Sequence, residues 1–427
     1  MNRDFRKLWA GQTASLFGSQ VTELALPLTA VISLHATAAQ VGLLGTARWL
    51  PWALLALWAG AWIDRKRRLP VLIAADAVRA VLLAGIVVLA VLDLLTVPLL
   101  LAAVFAFGTA TVLFEVSYQS YVPSIVTPAQ LVGANSRLTA SQSTAQVGGP
   151  GVGGVLVQLM TAPITLVVDA VTFALSALSL LLIRTREPLP EPPATRKGQI
   201  REGLRVTLGN PLLRALIGTA ASYNLFSNWM VVLFPLFAIR VLGLGAGAIG
   251  LILSTGAIGA LAGSILASPV TRRLGVGRAV LWPIVIEVLA LMLVPLAPAG
   301  SAVTIPLLVT AFLFNGMGVA LSSVVATSVR QAVTPPPMLG RMTATYRTIS
   351  FGVVAVGTFL GGLAGEWLGL RTGVAVGATG LVTSVIWVAA SPLRRMREIP
   401  APQDSWARQA SSGDASCRPD SVERTAS

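Results

Sequence analysis

The chain has 427 residues, of which 55% are hydrophobic and 11% are charged, and its formal net charge is +14. Charged residues make up about a quarter of a typical soluble domain, so this composition excludes a soluble globular protein. A single cysteine, Cys417, excludes a disulfide framework, and a single histidine, His35, excludes a His-rich metal site. No nucleotide-binding loop or catalytic triad is recognisable, so we expect no enzymatic activity, no cofactor and no bound metal.

Apolar runs of about 20 residues follow one another along the chain, and each could cross roughly 30 Å of hydrocarbon as a helix. The first run contains Glu23 and Pro27. It is too long for the apolar region of a signal peptide, so we interpret it as an uncleaved first helix. We predict twelve transmembrane helices, at 8–34, 40–63, 70–92, 97–121, 139–160, 163–183, 211–240, 247–269, 279–297, 302–326, 343–367 and 371–391.

The two halves of the chain resemble each other at an offset of about 208 residues. Pro27 aligns with Pro235, and the stretch GPGVGG (149–154) aligns with GTFLGG (357–362). A steady offset over six helices predicts a duplicated six-helix unit in parallel orientation. The predicted parts are an N-terminal bundle (1–185), a proline-rich cytoplasmic linker (186–210), a C-terminal bundle (211–392) and a disordered cytoplasmic tail (393–427).

The basic residues are distributed unevenly between the predicted loops. If the N-terminus is cytoplasmic, all of the 31 Lys and Arg residues except Arg48, Arg79, Arg240 and Arg371 lie in cytoplasmic segments. This bias predicts that both termini are cytoplasmic and that the chain spans the plasma or inner membrane several times. The positive charge then serves topology, and we expect the lipid bilayer, not nucleic acid, as the surrounding partner.

The loop between helices 2 and 3 reads GAWIDRKRR (60–68). Gly60 would let helix 2 approach a neighbour closely. Asp64 could bind a helix N-terminus, and Arg65 and Arg68 could bind carboxylates or helix C-termini. The pattern resembles the G-x-x-x-D-R-x-x-R loop of the major facilitator superfamily. That resemblance implies a fold of two pseudo-symmetric six-helix bundles, with a loop that latches the outward-facing state; the alternative is a basic loop that only sets topology.

Helix 5 contains AQVGGPGVGG (145–154), in which glycine and proline are concentrated inside an apolar stretch. Small residues let helix backbones pack closely in a membrane, and a proline kinks the helix. The stretch resembles the antiporter motif of the same superfamily, with Ala145 in place of the first glycine; its matching residues are Gly149, Pro150, Gly153 and Gly154. We expect this face to pack against helix 8 at Gly259 and Gly263, at the closing end of the pathway.

Four further stretches resemble one branch of the superfamily, the drug–proton antiporter relatives of macrolide-efflux proteins and the enterobactin exporter. They are FRKLWAGQTASLFGSQV (5–21), DAVRA (76–80), LVGANSRL (131–138) and VDAVTFALSAL (168–178). The resemblance covers about residues 3–395. It implies a monomeric exporter that carries a small-molecule substrate out of the cell in exchange for protons.

Ionisable residues inside the membrane are functional candidates because they are costly to bury there. Glu23 lies in the middle of helix 1 and is the first candidate for proton coupling; Glu115 on helix 4 is the second, and Asp76 is a third. An apolar cavity favours the protonated form of a carboxyl group, as proton antiport requires. The other polar residues expected to line the cavity are Gln12, Ser15, Ser19, Tyr118, Gln119, Tyr223, Ser227, Asn228 and Asn315.

Three other intramembrane sites allow more than one interpretation. Asp76 and Arg79 are three residues apart on helix 3, which favours a structural ion pair over a proton site. Asp169 and Arg48 could neutralise one another or act separately. Glu287 stands alone on helix 9, usually a peripheral helix in this fold, where a packing or partner role and a functional role are both open.

These patterns together predict a secondary active transporter that exports amphipathic small molecules, such as drugs or macrolides, by proton antiport and alternating access. One alternative is a dedicated exporter of a siderophore, a lysolipid or a self-made metabolite. The other is a membrane sensor or scaffold that does not transport. The polar cavity residues and the two gating motifs speak against the last.

Overall fold

The computed structural model describes residues 3–63, 65–183, 205, 207–335 and 338–398. Asp64, nearly all of the predicted linker and most of the predicted tail lie outside these residues. The described residues form helices and no strand, as the sequence predicts. The α-helices are α1 (Arg3–Leu28), α2 (Ala38–Ile63), α3 (Arg68–Val91), α4 (Val97–Ile125), α5 (Pro128–Met160), α6 (Ala162–Leu181), α7 (Pro211–Leu236), α8 (Ala246–Leu274), α9 (Val276–Met292), α10 (Thr304–Val333), α11 (Leu339–Trp367), α12 (Leu370–Gly380) and α13 (Val382–Ala389).

Ten segments of the described chain are long and apolar enough to span a membrane. The segment 370–389 is one of them, and it comprises α12 and α13 separated by a break after Gly380. The helices α2 and α5 are not among the ten, although their lengths of 26 and 33 residues are sufficient. They pack against the other helices of their half, so the bundle has the twelve-span architecture predicted from the sequence.

The internal duplication is visible in where the helices begin. The helices α7, α8, α9 and α12 each begin 208 residues after their counterparts α1, α2, α3 and α6, and α10 begins 207 residues after α4. Pro27 and Pro235 interrupt the backbone hydrogen bonding near the ends of α1 and α7. A π-helical turn follows each proline, at Thr29–Ser33 and Phe237–Val241. The predicted repeat is therefore confirmed down to a local irregularity.

The two ends of the bundle differ in how the halves contact each other. We call the end that contains residues 3 and 398 the terminal face and the opposite end the distal face. A single apolar core joins both halves towards the distal face; it includes Leu24 and Val41 of the first half and Leu233 and Ile249 of the second. Towards the terminal face each half has a separate core of its own.

The first seam between the halves joins α2 to α11 in the distal half of the bundle. A Cβ added at Gly42 would lie 2.6 Å from Cα of Gly362, so the two backbones touch. Thr46 Oγ1 lies 3.3 Å from Thr358 Oγ1, and the rings of Trp49 and Phe351 stack with centroids 6.0 Å apart. Small side chains thus bring the two helices together near the distal end of this seam, and aromatic rings stack nearer the middle of the bundle.

The second seam joins α5 to α8, also towards the distal face. A Cβ at Gly250 would lie 2.4 Å from the carbonyl oxygen of Pro150 and 2.9 Å from Cα of Gly154. On the terminal side, the hydrogen bond from Arg347 Nη1 to Gln119 Oε1, at 3.1 Å, joins the halves. The halves are therefore packed together at the distal face, whereas towards the terminal face they have separate apolar cores and are bridged by this polar contact.

Candidate functional site: two cavities in the bundle

A cavity of about 180 Å³ lies between the halves, beneath the distal seams. Helix α1 contributes Glu23, and α7 and α10 contribute Tyr223, Ser227 and Asn315. The amide of Asn315 donates a hydrogen bond of 3.1 Å to the hydroxyl of Tyr223. The remaining lining is almost wholly apolar: Leu24, Pro27, Met230, Val231, Phe234, Pro235, Leu253, Leu291, Val294, Phe312 and Val374. We call this space the distal cavity.

Glu23 forms an ion pair with Arg48 of α2. The side chain of Glu23 is 48% exposed and that of Arg48 is 20% exposed, so the carboxylate faces open space while the guanidinium is largely covered. The guanidinium carbon of Arg48 also lies 5.8 Å from the centre of the Phe107 ring. The partner of Arg48, which the sequence left open, is therefore Glu23.

A second cavity, of about 330 Å³, lies in the terminal half between α1, α4 and α5. Four expected residues line it: Gln12, Glu115, Tyr118 and Gln119. The ring of Tyr118 stacks on Phe114, with centroids 5.8 Å apart. Helix α5 adds polar side chains that the sequence analysis did not select: Asn135, Thr139 and Gln142. We call this space the terminal cavity; its lining is more polar than that of the distal cavity.

A buried charge cluster lies behind the terminal cavity. Asp76 and Arg79 form the predicted ion pair within α3, and their side chains are 0% and 6% exposed. The guanidinium carbon of Arg79 lies 4.2 Å from the centres of both the Phe114 and the Phe173 rings. The charge of Glu115 interacts with those of Arg79, Asp76 and Arg347. This cluster places Glu115 between a buried network and the cavity.

Three of the expected cavity residues are absent from the linings of both cavities. Ser15 is 3% exposed and shares a helical face with Gly11 and Gly18, which contact α6. Its side chain is therefore buried within the first half, and the predicted cavity position is wrong for it. Asn228 donates a hydrogen bond of 2.9 Å to the carbonyl oxygen of Asn224, and Ser19 is half-buried.

The glycines of helix 5 have two kinds of neighbour. A Cβ at Gly149 would lie 2.3 Å from Gln20 Cβ, and one at Gly153 would lie 3.3 Å from Val21 Cα, so both glycines face α1 of the same half. Gly154 and Pro150 face α8 of the other half. The expectation that this face packs against helix 8 is therefore correct for Pro150 and Gly154 and wrong for Gly149 and Gly153.

The residues of α8 that were expected to meet helix 5 lie elsewhere. A Cβ at Gly259 would lie 2.0 Å from the carbonyl oxygen of Leu313, and one at Gly263 would lie 2.2 Å from that of Met317. Both glycines therefore pack against α10, within the second half. The surface of α8 that contacts α5 includes Gly250 and Ser254, which lie about two and a half turns closer to the distal face.

The predicted gating loop is only partly described. A Cβ at Gly60 would meet no described atom within 4 Å, so the close approach expected there is not made in this state. Arg68 is the first residue of α3, and Arg65 lies in the turn before it. Asp64, the acid of the motif, lies outside the described residues.

Asp169 has hydroxyl groups as neighbours. Thr172 Oγ1 donates a hydrogen bond of 2.9 Å to Asp169 Oδ1, and Thr22 of α1 also faces this carboxyl group. Asp169 is fully buried, and a Cβ at Gly18 would lie 2.4 Å from its Oδ1. Asp169 therefore lies at the contact between α1 and α6 and does not line either cavity.

The chain resembles known proteins in both sequence and structure. The family model described as transmembrane secretion effector matches residues 1–417. The structure is similar to that of the nucleoside transporter NupG, with a TM-score of 0.73 and 12% identity over 91% of this chain and 99% of that one. No curated protein matches the sequence.

The structure is also similar to that of a bacterial homologue of the iron transporter ferroportin. In the inward-facing state of that homologue the TM-score is 0.69 at 18% identity, and in its outward-facing state the TM-score is 0.57 at 19% identity. Both comparisons cover 91% of this chain and 99% of the other. At these identities the likeness shows the shared transporter fold alone.

Proposed function

The chain belongs to the transmembrane secretion effector family of the major facilitator superfamily, and we propose that it exports small amphipathic molecules in exchange for protons. A membrane transporter of this superfamily works by exposing a cavity to the two sides of the membrane in turn. The Lys and Arg distribution supports a cytoplasmic terminal face. The structure then corresponds to the inward-facing state.

The observation that carries the proposal is the position of Glu23. Its carboxylate lines the distal cavity that both halves form, and it pairs with Arg48, a cation on another helix of its own half. A proton that binds to Glu23 removes the negative charge and breaks the ion pair. A cationic or polar substrate that enters from the cytoplasm competes with the same proton for this carboxylate.

The cavities support an amphipathic substrate. The distal cavity has an apolar wall, in which the ring centroids of Phe234 and Phe312 lie 4.8 Å apart. The terminal cavity contains Glu115 and several amide and hydroxyl groups. An apolar group gains free energy in the first space, and a polar or cationic group keeps its hydrogen bonds in the second.

The experiment is transport in proteoliposomes with an imposed pH gradient. The probes are ethidium, an amphipathic cation, and erythromycin, a macrolide. We expect the wild type to transport at least one of them against its gradient. Glu23→Gln is expected to stop gradient-driven transport and to retain downhill exchange, because the glutamine resembles the protonated acid. Glu115→Gln is expected to have the milder effect.

Asp93→Asn provides the matched control, since Asp93 is an exposed acid in the turn between α3 and α4. It removes one carboxylate outside both cavities and should transport like the wild type. Full pH-driven transport by Glu23→Gln would exclude Glu23 from coupling. If neither probe is transported by the wild type, amphipathic drug export is wrong, and a dedicated substrate is favoured.

A further inference from the structure

The carboxyl group of Glu287 is a buried acid that the proposed mechanism leaves unused. Glu287 lies in α9 and is 3% exposed. Within the described chain its Oε2 has no hydrogen-bond partner, and the residue forms no ion pair. We propose that Glu287 is a second proton-binding group, which belongs to the C-terminal half and faces the wall of the distal cavity. This inference rests on the proposed function of proton-driven export.

The surface of α9 on which Glu287 lies is the one that reaches the distal cavity. Leu291 of α9 lines this cavity and follows Glu287 by four residues, and Val294, in the turn after α9, also lines it. Residues four apart lie on one side of a helix. Glu287 is therefore one helical turn from the cavity lining, and α9 is not purely peripheral.

Two further helices bring polar groups to the same place. A Cβ at Gly318 of α10 would lie 2.9 Å from Glu287 Cβ, and Gly318 is three residues from Asn315, which lines the cavity. Asn315 is hydrogen-bonded to Tyr223 of α7. Tyr223 lies close enough for an ionised Glu287 to act electrostatically on its hydroxyl. Glu287 therefore lies near two polar residues of the cavity wall, Tyr223 and Asn315.

The charged residues of the neighbouring helices lie far from Glu287 or are occupied. Arg278 is nine residues away on α9, and Arg330 is twelve residues beyond Gly318 on α10. Arg371 of α12 donates to the carbonyl oxygens of Pro295 and Ala297. The basic residues of α8 and those after α13 lie towards the terminal face, at Arg272, Arg273, Arg394, Arg395 and Arg397. Among the described titratable groups of these helices, Tyr223 is the one within electrostatic reach of Glu287.

An ionised carboxylate that is buried without a cation or a full set of hydrogen bonds is strongly destabilised. In the state described here, in which the distal face is closed, Glu287 therefore holds a proton. When the distal seams open, water that enters the cavity can hydrate the carboxylate. The carboxylic acid then dissociates into a carboxylate and a proton, and the proton passes to cavity water at the hydroxyl of Tyr223. Each cycle can thus move a proton at Glu287 in addition to the one at Glu23.

Infrared spectroscopy of the full chain in lipid bilayers tests the protonation state of Glu287 directly. No transport substrate is added. At neutral pH we expect the wild type minus Glu287→Gln difference spectrum to contain the C=O band of a protonated carboxyl group. The wild type minus Asp93→Asn spectrum is expected to contain carboxylate bands instead. A Glu287→Gln difference that shows only carboxylate bands would overturn the proposal.

Tyr223→Phe keeps the carboxyl group and the ring, so it serves if Glu287→Gln fails to fold. We expect this variant to shift the frequency of the Glu287 band, because it removes the neighbouring hydroxyl; an unchanged band would contradict the site. The number of protons moved per ethidium is expected to fall by one in Glu287→Gln. A wild type that moves no protons would reject proton-driven export, whereas the infrared result would still report on Glu287.

Discussion

At the scale of single residues, the ion pair between Arg48 and Glu23 is the contact on which the proposed mechanism depends. The guanidinium of Arg48 is mostly covered by neighbours. Arg48→Gln removes the cation from this pair. Gradient-driven transport is therefore expected to fall severalfold, because the proposed cycle breaks and re-forms the pair. Initial rates of ethidium transport at a fixed pH difference measure this loss.

Arg278→Gln is the control for the Arg48 variant, because Arg278 is exposed at the start of α9. It removes a positive charge at the terminal face and should leave the initial rate unchanged. The double variant Glu23→Gln with Arg48→Gln should have no gradient-driven transport. An unchanged initial rate in Arg48→Gln would mean that the pair is structural and takes no part in coupling.

The Asp76–Arg79 pair has a different role, because both side chains are buried. Asp76→Asn would leave the Arg79 charge between two phenylalanine rings without its partner. Loss of one member of a buried pair costs about 3–5 kcal/mol. We expect a lower melting temperature in detergent for Asp76→Asn than for Glu23→Gln. Partial recovery in Asp76→Asn with Arg79→Gln would support the pair as structural; equal stability of the two single variants would contradict it.

At the scale of helices, neighbouring glycines of α5 serve different contacts. Gly154→Leu would force α5 away from Gly250 in the other half and prevent distal closure, whereas Gly149→Leu would disturb α1 in the same half. Overpacking costs about 1–3 kcal/mol. We expect Gly154→Leu to lose transport with near-normal abundance and Gly149→Leu to lose thermal stability as well. Transport rates and melting temperatures, measured in parallel, separate the two.

Gly148 offers a matched control for these variants, since a Cβ there would meet only Phe17 Cε1 at 3.7 Å. Gly148→Ala should therefore keep both transport and stability. The same pair of measurements on Gly154→Ala gives the smallest test of the seam. Normal transport in Gly154→Leu would show that the backbones of α5 and α8 need not meet.

The sequence predicts features that depend on spacing along one helix better than contacts between helices. The Asp76–Arg79 pair is confirmed because it follows from a spacing of three residues on one helix. The repeated helix starts are confirmed because the offset between the halves can be read directly from the sequence. The partners of Gly259 and Arg48 depend on how helices rotate and tilt in the bundle. A small-residue face shows that something approaches closely but does not specify which helix, and the same limit applies to a lone charge such as Glu287.

At the scale of the whole molecule, transport requires the distal seams to open. Thr46 Oγ1 and Thr358 Oγ1 lie 3.3 Å apart across the first seam. We expect Thr46→Cys with Thr358→Cys, in a Cys417→Ser background, to form a disulfide that holds the distal face closed. Oxidation should stop ethidium transport, and reduction should restore it. Disulfide formation is measured by gel electrophoresis without reductant after a protease has cut the chain between the two halves. Cross-linked halves then migrate together as one band.

Each single cysteine variant controls for the substitution itself and should transport under both redox conditions. A cross-linked double variant with undiminished transport would contradict alternating access through the distal face. The result concerns the relative motion of two intact bundles. It is therefore independent of which carboxylate binds the proton.

The π-helical turns after Pro27 and Pro235 also contain information about the history of the chain. They occupy Thr29–Ser33 and Phe237–Val241, at the same offset as the helix starts. A widened turn of this kind is rare and locally unfavourable, so its independent origin at two equivalent positions is the less economical explanation. The turn was therefore present in the six-helix ancestor, before a duplication of the coding sequence produced the two bundles.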